Sequence, residues 1–166
     1  MKLRKEYTTT RDIDWFCRIN NIWIHAASAG GELPNKVNNN KSLPRIQYLV
    51  SQLPDIFDVE QLLFNESFLY SRFNNSENRQ EQESNYLNSF ISMAKKGFSS
   101  FDRTNLGNIF DNKYHFVVRP KNEFILQVDF ELLLEHIPSY TILEADILNL
   151  QIVDMDLPKL INKQSR

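Results

Sequence analysis

Hydrophobic and polar residues alternate most clearly near the start of the chain. Residues 12–19 read Asp-Ile-Asp-Trp-Phe-Cys-Arg-Ile and residues 22–27 read Ile-Trp-Ile-His-Ala-Ala, with Asn20-Asn21 between them. β-Branched and aromatic residues on either side of a two-residue Asn-Asn turn predict a hairpin. Its alternation puts Ile22 and Ile24 on one face, Trp23 and His25 on the other. Ser28-Ala29-Gly30-Gly31 ends the second strand. Residues 32–42 are polar, contain Asn38-Asn39-Asn40 and read as a loop. From Ser42 and Pro44 the period changes. Ile46, Leu49, Val50 and Leu53 follow the i, i+3, i+4, i+7 spacing of a helix, which Pro54 ends. Asp58 and Gln61 have the spacing of a capping box, and Val59, Leu62, Leu63, Leu69, Tyr70 and Phe73 predict a second amphipathic helix behind it. Residues 74–84 contain no apolar side chain and read as a loop or as the solvated first turns of the next helix. Leu87, Phe90, Ile91, Ala94 and Phe98 carry that helix, and Lys95, Lys96 and Gly97 suit its end.

Residues 98–112 read as irregular. Strands are predicted over 114–118, 124–128, 140–143 and 148–153. Short helices are predicted over 129–135 and around 158–162. The order of elements points to an α+β fold with a largely antiparallel sheet of about five or six strands and three or four helices. The helical middle lies between an N-terminal hairpin and C-terminal strands. The hairpin is expected to pair with those late strands, because two strands alone are only marginally stable. The chain is read as one domain over residues 1–166, with 1–11 and 163–166 as mobile ends.

Composition narrows the class. A chain of 166 residues that is 42% hydrophobic can bury a core. Its single cysteine, Cys17, cannot form an internal disulfide or a cysteine-based zinc site. No apolar run approaches a membrane span, and no apolar stretch follows the basic opening residues, so neither a membrane protein nor a secretory signal is expected. A reducing, cytoplasmic setting fits these features.

Charge changes the picture more. The formal balance of -2 conceals a carrier of eight acids and no lysine or arginine over residues 122–158: Glu123, Asp129, Glu131, Glu135, Glu144, Asp146, Asp154 and Asp156. The rest of the chain sums to +6. Either the two parts meet within the fold, or the acids face a basic partner. The 18 asparagines sit mainly where turns are expected and carry no functional reading.

Four constellations carry candidate chemistry. In His25-Ala26-Ala27-Ser28-Ala29-Gly30-Gly31, small residues after a strand let backbone N–H groups cradle an anion, with His25 as acid or base. The competing reading is a Gly-Gly bend leaving a strand. In Asp102-Arg103-Thr104-Asn105, Arg103 could clamp a phosphate or carboxylate while Asp102 orients it. The competing reading is a turn. His115 and Arg119, four apart on one strand, are expected to share a face and could join Arg103 in one cleft. Carboxylates spaced two apart, such as Asp12 and Asp14 or Asp154 and Asp156, could bind a hard cation, although strand ends and caps explain them equally well. Ser28 lacks the glycine pattern of a nucleophile elbow. No cofactor or metal is assigned. A pI of about 5.9 without a dense basic patch argues against nucleic acid.

Two functions follow as expectations. The first is a protein-binding module, of an inhibitor or immunity type, that meets a basic protein surface through Glu144, Asp146, Asp154 and Asp156. The alternative is a small enzyme or ligand-binding domain for a phosphorylated or carboxylated molecule, using His25, Ser28, Gly30, Gly31, Asp102, Arg103, Thr104, Asn105, His115 and Arg119. A homodimer is left open.

Overall fold

The computed structural model of the protein describes residues 5–19, 22–38, 40–108, 113–122, 136–140 and 152–154. Helix α1 spans Lys5–Thr9, and the expected hairpin follows as β1 (Asp14–Ile19) and β2 (Ile22–Ala27). Helices α2 (Asn35–Asn38) and α3 (Leu43–Ser51), strand β3 (Leu62–Phe64), and helices α4 (Glu66–Phe73) and α5 (Arg79–Lys95) fill the middle. The remaining strands are β4 (Ser99–Arg103), β5 (Lys113–Pro120), β6 (Ser139–Tyr140) and β7 (Ile152–Asp154). The strand order is β3-β5-β4-β2-β1-β6, with β7 also paired to β5. Pairing is antiparallel except at β2–β4 and β1–β6. The α+β class and the mostly antiparallel sheet are as expected, and the hairpin does pair with later strands on both sides. The helical middle is an excursion between β2 and β4 that returns as a layer, with α5 packed on β4 and β5 and α3 on β1.

Three expectations are corrected. The irregular segment after Phe98 contains β4, a central strand. Its Ser-Ser-Phe-Asp-Arg sequence lacks the apolar pattern of a buried strand, yet every residue is buried. The helix expected from Asp58 to Phe73 is broken. The 58/61 capping box forms, with Gln61 Oε1 accepting the Asp58 N–H at 2.8 Å, but only a 3-10 turn follows before β3. Asn65 then starts α4. Its Oδ1 accepts the Phe68 N–H, its Nδ2 donates to the Phe116 carbonyl, and its own N–H donates to the Val117 carbonyl. Asn65 thus fills the gap along β5 between β3, which pairs with Val118–Pro120, and β7, which pairs with Lys113–His115. For residues 74–84, the helical reading holds from Arg79, and Gly97 closes α5 in the left-handed region at φ +95°. The third correction concerns β5. A register shift against Ser100 and Phe101 places an extra residue at Val117, and Val117 and Val118 both join the core beneath α4 and α5. The alternation is inverted beyond that bulge. Arg119 therefore leaves the face of His115, and its guanidinium lies 5.7 Å from the Phe116 ring. The elements expected over 124–135, 141–150 and 156–162 lie outside the described residues.

Both faces of the sheet are buried. On one, Trp15, Cys17, Ile24, Ala26, Phe101 and Tyr114 pack with Leu33, Val37 and Leu43. On the other, Phe16, Trp23 and Phe98 meet Ile46 and Val50 of α3. Beside them Val117 and Val118 meet Leu69, Phe73, Leu87, Phe90 and Ala94 of α4 and α5. Each fully buried Leu, Val or Phe contributes about 1.5–3 kcal/mol. Among the described residues no helix is long and apolar enough to cross a membrane.

Candidate functional site

The register of β1, β2, β4 and β5 sorts the candidate residues by face. His25 stands opposite Phe16 on one side and Ser100 on the other, and Asp102 stands opposite His115. All of these face the helices. Arg103 lies one residue beyond Asp102, opposite Tyr114, and turns to the other face. Side chains on opposite faces of one sheet cannot line a single pocket. The cleft expected to join His115 and Arg119 with Arg103 is therefore not formed, because His115 and His25 face the helices while Arg103 and Arg119 face away from them.

On the helical face run two polar strings, buried at His25, Ser100, Asp102 and His115 and reaching the surface at Asp14 and Thr104. In the first, His25 Nε2 meets Asp14 Oδ1 at 3.0 Å and Nδ1 meets Ser100 Oγ at 3.1 Å. Ser100 Oγ donates to the Phe90 carbonyl at 3.3 Å. The Phe16 and Phe90 rings lie 5.4 and 5.9 Å from the imidazole. Burial would push the Asp14 carboxyl up, but the hydrogen bond and charge of His25 outweigh it and hold the pKa below the usual carboxylate range. Residue by residue this is Ser, His and Asp, but it is no nucleophilic triad. Ser100 and His25 are completely buried, so no substrate carbonyl can reach the hydroxyl.

The second string runs from α5 into β4 and β5. Tyr86 donates to Asp102 Oδ2 at 2.8 Å, and its hydroxyl lies 3.5 Å from His115 Nε2. Asp102 Oδ1 accepts the Arg103 N–H at 2.8 Å, while His115 Nδ1 lies 3.4 Å from Thr104 Oγ1. Phe68 stacks on His115 at 4.0 Å, and Arg72 sits 4.8 Å over the Tyr86 ring. Burial raises the Asp102 pKa despite the bonds from Tyr86 and the Arg103 N–H. Burial also raises that of Tyr86, reinforced by Asp102. It lowers that of His115 to about 4, with the Arg72 charge adding to the effect. At neutral pH His115 is thus a neutral ring wedged between Phe68 and Tyr86.

On the opposite face Arg103 is 1% exposed and donates from Nη1 to the Ser28 carbonyl at 3.2 Å. Asp102 does not orient this guanidinium, because its own carboxylate points to the other face. A side-chain carbon on Gly31 would fall 0.6 Å from Arg103 Nη1, so only glycine leaves room for the arginine. Gly30 adopts φ +73° with the Thr9 carbonyl 3.1 Å from where its Cβ would stand, and Ala29 adopts φ +45°. Three of the N–H groups expected to cradle an anion, those of Ser28, Ala29 and Gly31, are spent within the chain. Ser28 donates to the Ile13 carbonyl, Ala29 to Asp12 Oδ1, and Gly31 to the Ser28 carbonyl. Ser28 Oγ accepts the Ile13 N–H at 2.8 Å. The 28–31 segment is a bend that seats Arg103, and α1 packs behind it.

Thr104 and Asn105 are exposed at the end of β4. Of the acids expected to meet a partner, Asp154 lies in β7 opposite Lys113. Glu144, Asp146 and Asp156 lie outside the described residues. Among the described residues no three His, Cys, Asp or Glu side chains converge on a metal position. Sequence reasoning passed over Asp14, Arg72, Tyr86 and Ser100 as partners of His25, Asp102 and His115. Asp14 meets His25 across the hairpin, the pairing of β2 with β4 brings in Ser100, and the docking of α4 and α5 brings in Arg72 and Tyr86. Comparisons with protein-family models, with curated proteins and with solved structures gave no match.

Proposed function

We propose that the chain is a protein-binding module whose acidic C-terminal third covers a basic surface on another protein, as an inhibitor or immunity-type protein does. The observation that carries the proposal is the run of eight acids with no lysine or arginine over residues 122–158. The site geometry supports it indirectly. His25, Asp102 and His115, the residues best suited to acid–base chemistry, are buried and bonded to their own chain. That leaves the uneven charge along the chain as the strongest chemical feature. β7 fastens one part of the acidic stretch to β5. A cytoplasmic setting belongs to the same reading.

Attraction between oppositely charged surfaces speeds association and weakens as salt screens it. The test is to reverse Glu144, Asp146, Asp154 and Asp156 to lysine and compare capture of partners from the native cells at low and high salt. Circular dichroism establishes that the variant is folded. The expected result is a protein retained by the native chain at low salt and lost on both charge reversal and salt addition. If every captured protein stays bound to the reversed chain, the proposal fails.

A further inference from the structure

A second feature stands apart from the acidic stretch and from both polar strings. At the start of β1, between α1 and α3, lies a cavity of ≈ 450 Å³. That volume is within the range of small-molecule pockets, roughly 300–1,000 Å³. Ile13 and Leu43, both buried, give it an apolar wall. Tyr7, 44% exposed, adds an aromatic face. Two basic residues, Arg11 and Lys41, also line it. Neither makes an ion pair with the described residues. Arg11 is held in place by the Tyr7 ring, with its Cζ 4.6 Å from the centroid. Asp12 also lines the cavity, but its Oδ1 already accepts the Ala29 N–H at 2.7 Å. The lining thus holds two basic residues against one carboxylate that is already committed to the bend.

We infer that this cavity binds a small organic anion with a flat apolar body and an oxyanion head. The body lies against Tyr7, Ile13 and Leu43. The Arg11 fork takes two oxygens of a phosphate or carboxylate, and Lys41 supplies a second charge. The site does not depend on the function proposed above, since it uses none of the acidic residues.

Phenyl phosphate titrated into the full chain at low salt, followed by calorimetry, tests the inference, with benzoate, inorganic phosphate and benzyl alcohol in parallel. Saturable one-to-one binding is expected for phenyl phosphate or benzoate, and the tighter of the two identifies the head group. Arg11→Gln and Lys41→Gln are each expected to weaken it about tenfold, the loss of one charge-assisted contact. Inorganic phosphate and benzyl alcohol, each lacking half of the ligand, should bind more weakly. The inference is overturned if neither aromatic anion saturates. It is overturned equally if both variants bind as the native chain does, or if inorganic phosphate alone matches phenyl phosphate.

Discussion

Gly31→Ala is a one-carbon change at a position with no catalytic role, yet the structure gives it a large cost. The added methyl would stand 0.6 Å from Nη1, 1.8 Å from Cζ and 2.6 Å from Nη2 of Arg103. The guanidinium must leave. Doing so breaks a charge-assisted bond to the Ser28 carbonyl, typically worth about 1.5–3 kcal/mol. Forcing a side chain out of a packed site adds about 1–3 kcal/mol. Together these predict a loss of about 2.5–6 kcal/mol, or a urea midpoint lowered by roughly 2 M for an ordinary denaturant slope. Such a loss is comparable to the whole stability of a marginal domain, so the single variant is also expected to express poorly. Arg103→Met supplies the decisive background. Methionine ends short of the Cζ position, so the added methyl no longer meets the atoms that obstruct it. The alanine should then cost at least 2 kcal/mol less than it does beside arginine, a coupling well above the usual scatter for neighbouring sites. Equal costs in the two backgrounds would refute the argument that Arg103 is what demands glycine at 31.

Two further outcomes follow from the site. His115 titrates near 4 in the folded chain against about 6.5 when unfolded, so acid favours the unfolded state, which takes the proton first. Stability should fall between pH 6.5 and 4, by about 2–3 kcal/mol from this group at pH 4.5. The raised pKa of Asp102 acts in the opposite direction as it protonates in the fold. Urea titrations of the native chain and His115→Gln at pH 7 and 4.5 check this, and an unchanged pH slope in the variant would count against it. Asn65→Ala should cost about 2 kcal/mol, since it removes both the α4 cap and the bond to the Phe116 carbonyl. Asn65→Asp keeps the cap but turns an acceptor toward that carbonyl, so denaturation should show it no better than alanine.

The hairpin was legible because Trp15, Phe16, Ile22 and Trp23 are strand formers on either side of a turn pair. β5 was legible for the same reason. β4 was not, because Ser100 and Asp102 are polar by type and buried only through partners on other elements. Leu62, Leu63 and Phe64 fit a helix by local period, and pairing with β5 overrode it. For the site, residue types singled out His25, Asp102, Arg103 and His115, all of which the structure buries. Their grouping could not be read, because one bulge at Val117 reverses the face of Arg119, and faces of β2 and β4 become neighbours only on pairing.

The parallel seam between β2 and β4 also sets an order of events. His25 and Ser100, which meet across it, are 75 residues apart in the chain. Local helices can form before that loop closes, whereas the centre of the sheet cannot. A ribosome adding about 5–20 residues per second leaves the hairpin waiting roughly 4–15 seconds for its partner strand. During that interval the edge of β2 that will lie in the middle of the sheet is unpaired. The protein is therefore most exposed to aggregation and to chaperones while it is being made, before the strand that pairs with that edge exists.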